Sequence, residues 1–349
     1  MQRKRFTIGD VARLAGVGKV TVSYVLNGRG EENRISKETQ ERIFAAAREL
    51  EYRPSAVARS LVSKRANAIS IVFQYANYFR AGSSFVNELM RGVCEECVDA
   101  DINLILHTRS FDSVAEEADA LMDGRTDGAL ILRDFDDPLL EVLHQRQFPI
   151  VTFFSHPNEP SIPFVDADNV VGGITATQHM IELGHRHIGM VTGSPGSVAS
   201  NDRCSGYQQA LRQFEVEVNP SMIISSHAPG DFEENFATWF KTNNPTALVC
   251  WSDDIAFACI KILTKLGASV PDDVSVIGFD SSEECNRTTP PLTSMRQPIF
   301  DIARSAARTL IAATRLEPAD VNTTFPLTLD VRGSTKQHQH NSSSMKRTS

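Results

Sequence analysis

The stretch from Thr7 to Gly28, TIGDVARLAGVGKVTVSYVLNG, limits the folding options most tightly. Ile8, Val11, Ala12 and Ala15 recur at the i, i+3, i+4, i+7 spacing that lays one apolar stripe along a helix. Thr7 stands just before that stripe and suits an N-cap. Gly16 interrupts the pattern where the chain needs the unusual dihedrals of a tight turn. A second helix over about Lys19–Leu26 then buries Val22, Val25 and Leu26, leaving Lys19, Val20, Thr21 and Tyr24 near its exposed start and face. The periodicity fits two readings equally. One is a helix pair in the core of an α/β domain; the other is a helix-turn-helix, whose second helix enters the major groove of DNA.

Charge separates the two. Residues 1–65 hold 14 Lys and Arg against 7 Asp and Glu, and the remainder holds 21 against 36. The formal net charge of −8 therefore hides a basic head on an acidic body. Lys and Arg release the counterions condensed on a phosphate backbone, so such a head suits duplex DNA. Ser36 caps a third helix, about Lys37–Leu50, which is expected to bury Ile43, Phe44, Ala47 and Leu50 and to complete a headpiece over residues 1–53. Pro54 then opens a short helical segment, Ser55 to Val62, within a basic linker over residues 54–67. Two turns are too few to hold in water alone, which implies folding on contact.

From Ala68 the texture changes. Short apolar runs alternate with helical segments, as in parallel sheets covered on both faces. Expected strands are 68–73, 103–106, 128–132 and 150–154, then 187–192, 222–224, 247–251 and 274–279. Expected helices lie near 83–99, 113–123, 137–146, 170–183, 203–214, 231–242, 254–266 and 298–315. The fold class is thus α/β: an all-α helix-turn-helix headpiece and a two-lobed, doubly wound core over residues 68–332. The lobes switch near residue 160, and Thr323–Arg332 forms a closing strand. A cleft between two such lobes is a natural small-molecule site at the carboxyl ends of the strands. Residues 333–349 are almost free of apolar side chains and are expected to be a disordered tail, without leucine heptads.

No run of about 18 apolar residues is present, so no membrane span is expected. The basic start leads into an amphipathic helix rather than an apolar signal, which places the chain in the cytoplasm. Cys94 and Cys97 have a metal-like spacing but no second pair nearby, so the cysteines read as half-buried thiols and no metal or cofactor is expected.

These residues resemble the lactose-repressor/galactose-repressor (LacI-type) family of bacterial transcription regulators. The resemblance is carried by Thr7-Ile-x-Asp10-Val-Ala, Ala15-Gly-Val17, Thr21-Val-Ser23 and Leu26-Asn27-Gly28. It continues in Tyr52-x-Pro54-x-Ala56-x-Ala58-Arg59-Ser60-Leu61, Leu183-Gly-His185, Arg203-x-x-Gly206-Tyr207, Val276-Ile-Gly-Phe-Asp280 and Pro291-Leu-Thr293. It implies a hinge helix, a core like periplasmic sugar-binding proteins, and a homodimer on a near-palindromic operator whose DNA affinity answers to a small effector. Lys19, Val20 and Tyr24 match base-reading positions: Lys19 can donate to guanine, and Val20 can touch a thymine methyl. Thr7, Thr21, Ser23 and Asn27 suit the phosphate backbone, which positions rather than specifies. Gly18 replaces a usual Ser and removes one cap and one phosphate contact. Leu61 matches a minor-groove wedge, with Ala58 beside it and Ser55 as a polar hinge contact. In the cleft, Arg203 matches an effector-gripping arginine. Asp168 and Asp280 are placed to accept sugar hydroxyls, Phe232 to stack on the effector, and Ser252 stands where relatives often carry Asn. Tyr78 or Phe79 closes the other wall. Arginine, two aspartates and an aromatic suit a sugar or sugar derivative.

Two other classes were weighed. A secreted solute-binding protein of the same core fold needs a signal and no basic head, the reverse of this chain. An enzyme needs machinery that is not visible here: no phosphate-cradling loop with its Lys, no GxSxG elbow and no metal-ligand cluster.

Overall fold

The computed structural model describes residues 6–52, 65–74 and 84–338. They form two compact units that part between Ala66 and Asn67.

The first unit is a three-helix bundle of α1 (Ile8–Ala15), α2 (Lys19–Leu26) and α3 (Lys37–Glu49). The Thr7 amide and hydroxyl both donate to the Asp10 carboxylate, at 2.9 and 2.8 Å, and fix the start of α1. Gly16, at φ 67°, ends it in the left-handed region where a side chain would be strained. Ser36 Oγ accepts from the Thr39 amide at 3.3 Å and caps α3. Val11, Ala12, Ala15, Val22, Val25, Ile43, Ala46 and Ala47 make the core. Phe44, expected inside, is 43% exposed. Ile43, Ala46 and Ala47 already form the inward stripe, and one residue on from Ile43 is a turn of about 100° away from it.

The second unit holds two six-stranded sheets. In chain order its elements are β1 (Ala68–Phe73), α4 (Ser84–Asp99), β2 (Asn103–His107), α5 (Val114–Leu121), β3 (Ala129–Leu132), α6 (Pro138–Gln145), β4 (Ile150–Phe153) and β5 (Phe164–Ala167). There follow α7 (Asn169–Glu182), β6 (Ile188–Thr192), α8 (Val198–Gln213), β7 (Ile223–Ser225), α9 (Phe232–Asn243), β8 (Ala247–Cys250), α10 (Asp253–Lys265) and β9 (Ser275–Asp280). The chain closes with β10 (Thr293–Arg296), α11 (Ile299–Arg315), β11 (Thr323–Phe325) and β12 (Thr328–Asp330). The first sheet runs β11-β5-β4-β3-β1-β2 and the second β12-β10-β9-β8-β6-β7. Every pairing is parallel except β10 with β12.

Three expectations need correction. The lobes are not consecutive in sequence. The chain crosses between sheets after β5, after β10 and between β11 and β12, and α11 packs into the first lobe's core through Ile302, Ala306 and Leu310. The single closing strand is two, one on each sheet, and Leu327 between them packs on both cores. The tail does not lose structure at Gly333: Ser334 is fully buried, accepts from the Thr293 amide at 2.8 Å and donates to the Val276 carbonyl at 2.6 Å. Backbone hydrogen bonding holds Gly333–His338 on the second lobe, and an apolar count does not register it.

The cysteines are free. Cys97 is buried in α4, and burial pushes its thiol up to about 11.

Candidate functional sites: a helix surface and an interlobe cleft

The exposed start of α2 is built by what its sequence lacks. Gly18 supplies no side-chain cap, and no acidic residue stands in the first turn. The positive end of the helix dipole therefore meets no carboxylate of its own helix. The nearby Asp10 is held by the Thr7 amide and hydroxyl and by Arg13, which keep its carboxyl below the usual carboxylate range. Lys19 is exposed, and its stem runs along α1, where a Cβ at Gly9 would come within 3.1 Å of its Cε. Val20 is 64% exposed, an apolar side chain that buries little in the bundle. Thr21, Ser23 and Tyr24 are half-buried along the same helix. Exposed Asn27 donates to Ser23 Oγ at 3.3 Å. The Thr7 hydroxyl is used within its own capping turn. Ser55, Ala58 and Leu61 lie outside the described residues.

In the core, Arg203 is the centre of the second site. It sits inside α8, which starts earlier than the sequence spacing implied because Ser197 Oγ accepts from the Ser200 amide at 3.3 Å. Gly173 and Gly206 let α7 and α8 touch backbone to backbone, since a Cβ at Gly173 would lie 2.2 Å from the Arg203 carbonyl. The arginine is 4% exposed. Its Nε donates to Asn169 Oδ1 at 2.9 Å, its Nη1 donates to the Trp251 carbonyl, and its guanidinium lies 3.7 Å from the Phe279 ring centroid. Burial lowers its pKa, against the fields of Asp280, Asp166, Asp253 and Asp202.

The four carboxylates differ in role. Asp280 ends β9 at φ 111°, a conformation rare for a side-chain-bearing residue, and accepts from Gln297 Nε2 at the second crossover. Burial holds its carboxyl above the ordinary range while Arg203 opposes that rise. Asp253 is structural: it accepts from Ser294 Oγ at 2.6 Å, the Ser282 amide at 2.8 Å and Cys285 Sγ at 3.1 Å. Asp202 meets His156 Nε2 at 2.8 Å, joining the loop after β4 to α8. That bond raises the His156 pKa. Asp166, at the end of β5, is 1% exposed, and burial pushes its carboxyl up to about 6.

The two lobes also meet where the loops after β3 and β6 touch: a Cβ at Gly196 would lie 2.3 Å from Asp134 Oδ2. Burial, with Asp136 and Asp137 nearby, raises the Asp134 carboxyl.

Of the residues singled out in sequence, Arg203 and Asp280 are brought together. Asp168 Oδ1 caps α7 through the Val171 amide at 3.1 Å, and Ser252 Oγ caps α10 through the Ile255 amide at 3.4 Å. Phe232 packs on Phe236 at 5.7 Å between ring centroids, and the ring that Arg203 meets is that of Phe279, while Trp251 offers its backbone carbonyl. Tyr78 and Phe79 lie outside the described residues. Sequence reasoning missed Asp166, Asn169, Trp251 and the His156–Asp202 pair. The Asp166-Ala-Asp168-Asn169 run at a strand-to-helix junction was the one available signal. Among the described residues, no group of three His, Cys, Asp or Glu side chains is spaced to hold a metal, and no helix is long and apolar enough to cross a membrane.

Comparison with known proteins places the chain by family and by fold. Residues 7–55 match the family of bacterial regulatory proteins of the lacI type, and residues 177–335 match a periplasmic binding protein-like domain. The transcriptional repressor PurR of Photobacterium profundum is 33% identical over 315 residues, spanning 87% of this chain and 91% of that one. The regulator CelR of Thermobifida fusca is 32% identical over 319 residues, spanning 89% and 92%. The ribose operon repressor of Haemophilus influenzae is 31% identical over 311 residues, spanning 87% and 91%. Among solved structures, a CelR–cellobiose complex superposes with a TM-score of 0.71 at 30% identity, covering 95% of this chain and 100% of that one. The lac repressor dimer bound to operator superposes at 0.80 with 23% identity over the same shares, a likeness of fold. With a helix-turn-helix unit before a two-lobed binding core, and with relatives alike over almost their full length, this chain belongs to the lacI family of bacterial regulatory proteins.

Proposed function

We propose that this regulator binds a near-palindromic operator as a homodimer and that a sugar in the core cleft sets its affinity for DNA. Lys19, Val20 and Tyr24 read base edges, while Thr7, Thr21, Ser23 and Asn27 hold the phosphates. Residues 54–67 act as the hinge, with Ser55, Ala58 and Leu61 at the minor groove. The chain turns over no substrate.

The observation that carries the reading is Arg203. It is buried and fixed on three sides, with Nη2 unbonded among the described residues, and Asp166, Asp202, Asp253 and Asp280 surround it. A carboxylate surplus around one fixed arginine suits a neutral ligand rich in hydroxyl groups, which donate to carboxylates and accept from guanidinium. Asp280 is the direct hydroxyl acceptor in this reading; Asp168 and Ser252 position backbone, and Phe232, Tyr78 or Phe79 supply apolar wall.

The test is a thermal-shift screen of the full chain against sugars, sugar phosphates and nucleobases, because a ligand that binds only the folded state raises its melting point. It is paired with selection of binding sites from random duplex DNA, with and without the ligands that register. Neutral sugars are expected to raise the melting point and to change operator affinity. A sugar phosphate or nucleobase that outdoes every neutral sugar sinks the assignment of the effector; no site preference at any salt concentration sinks the regulator reading.

A further inference from the structure

Asn169 is the first residue of α7 and 2% exposed, and its amide is used from both ends. Nδ2 donates to Asp166 Oδ1 and to the Ala167 carbonyl, each at 3.2 Å, while Oδ1 accepts from Arg203 Nε at 2.9 Å. The acceptors on one side decide which way the amide points. Flipped, its NH2 would face the Arg203 N–H, donor against donor, and two acceptors would face its oxygen. We propose that Asp166 is a positioning residue for the effector site: acting through Asn169, it fixes how the Arg203 guanidinium is presented to the cleft. This rests on the reading of the cleft as an effector site.

A second feature sets Asp166 apart from a structural carboxylate such as Asp253. Its Oδ1 also accepts from the Ala167 amide at 2.7 Å, but Oδ2 is buried with no hydrogen-bond partner among the described residues. A buried acceptor left unpaired is unfavourable for folding and calls for another reason to be there. The charged groups that face it are Arg203 of α8 and His156 of the loop after β4. The carboxylate therefore serves the arginine by charge and by orienting Asn169, at a cost to its own solvation. Because burial pushes Asp166 up to about 6, mild acid protonates it and weakens both effects.

The test uses the full chain as wild type, D166N and N169A. The Arg203 Nε–H resonance, identified by its loss in R203K, is followed without ligand from about pH 7.5 to 5 in arginine-labelled, deuterated protein. In wild type it shifts with a midpoint near 6; in D166N, which keeps an oxygen toward Asn169 but has no proton to take up, that midpoint is lost and only the changes imposed by Asp280 and His156 remain. The melting point of D166N at neutral pH is expected to hold or rise, since a buried charge is gone. Calorimetry with D-ribose, D-glucose and cellobiose as probes is expected to show about tenfold weaker binding in D166N and N169A of whichever probe binds the wild type. An arginine signal that titrates equally in D166N, or one that does not titrate in wild type, overturns the proposal. So does a D166N that binds as tightly as wild type. Failure of all three probes to bind wild type counts against the sugar reading instead, and the resonance still decides on Asp166.

Discussion

Arg203 illustrates how one side chain is made specific by the groups that immobilise it. An arginine loses much rotamer freedom when buried, and here Asn169, Trp251 and Phe279 remove that freedom before any ligand arrives. Lysine cannot reproduce the fork, so Arg203→Lys is expected to weaken effector binding by about a hundredfold while leaving ligand-free operator affinity unchanged. Calorimetry and a DNA-binding titration on the same preparation check both halves. On the headpiece, Lys19 and Val20 face solvent at the uncapped start of α2. Lys19→Ala is expected to cost about 1–3 kcal/mol on the selected operator and far less on random duplex. Equal losses on both would place Lys19 on phosphate instead.

At the scale of elements, the contact between α7 and α8 sets the position of Arg203. Gly173 is needed there because a Cβ would lie 2.2 Å from the Arg203 carbonyl and no flexible side chain can give way. Gly173→Ala is expected to lose about 2 kcal/mol of stability by urea unfolding and to weaken effector binding as well, because α8 must move. The bond from His156 to Asp202 links the lobes from the other side. Asp202 raises the folded-state pKa of His156 above its usual value near 6.5, so the pair contributes its full stability below pH 6.5 and loses it as pH rises through that raised value. The stability gap between wild type and His156→Gln is therefore expected to narrow from mildly acidic to alkaline pH. A gap that widens would show that the pair does not hold as an ion pair.

At the scale of the molecule, the lobes are joined by three crossings, and the groups proposed to hold the effector are anchored to them. Asn169 and Asp166 flank the first, Gln297 binds Asp280 at the second, and Leu327 packs on both cores at the third. In the proposed reading, a ligand held by Arg203 and Asp280 would act on side chains anchored at the first two crossings, a route from cleft to lobe angle. Leu61→Ala is expected to weaken operator binding far more than nonspecific binding, by quantitative footprinting.

The sequence by itself determined the headpiece helices, the caps of the first and third, the charge division and the alternation of strands and helices in the core, apart from β5 and β10. Those features rest on local periodicity, on Thr7, Gly16 and Ser36 at chain ends of helices, and on residue counts. Tertiary structure alone decided that α11 and β11 return to the first lobe and that Ser334 buries the start of the tail. It alone put Asp166, Asn169 and Trp251 around Arg203 and His156 against Asp202. The reason is range: a cap or an apolar stripe is read from residues three or four apart, whereas these partners lie tens of residues apart and meet only once both sheets have formed.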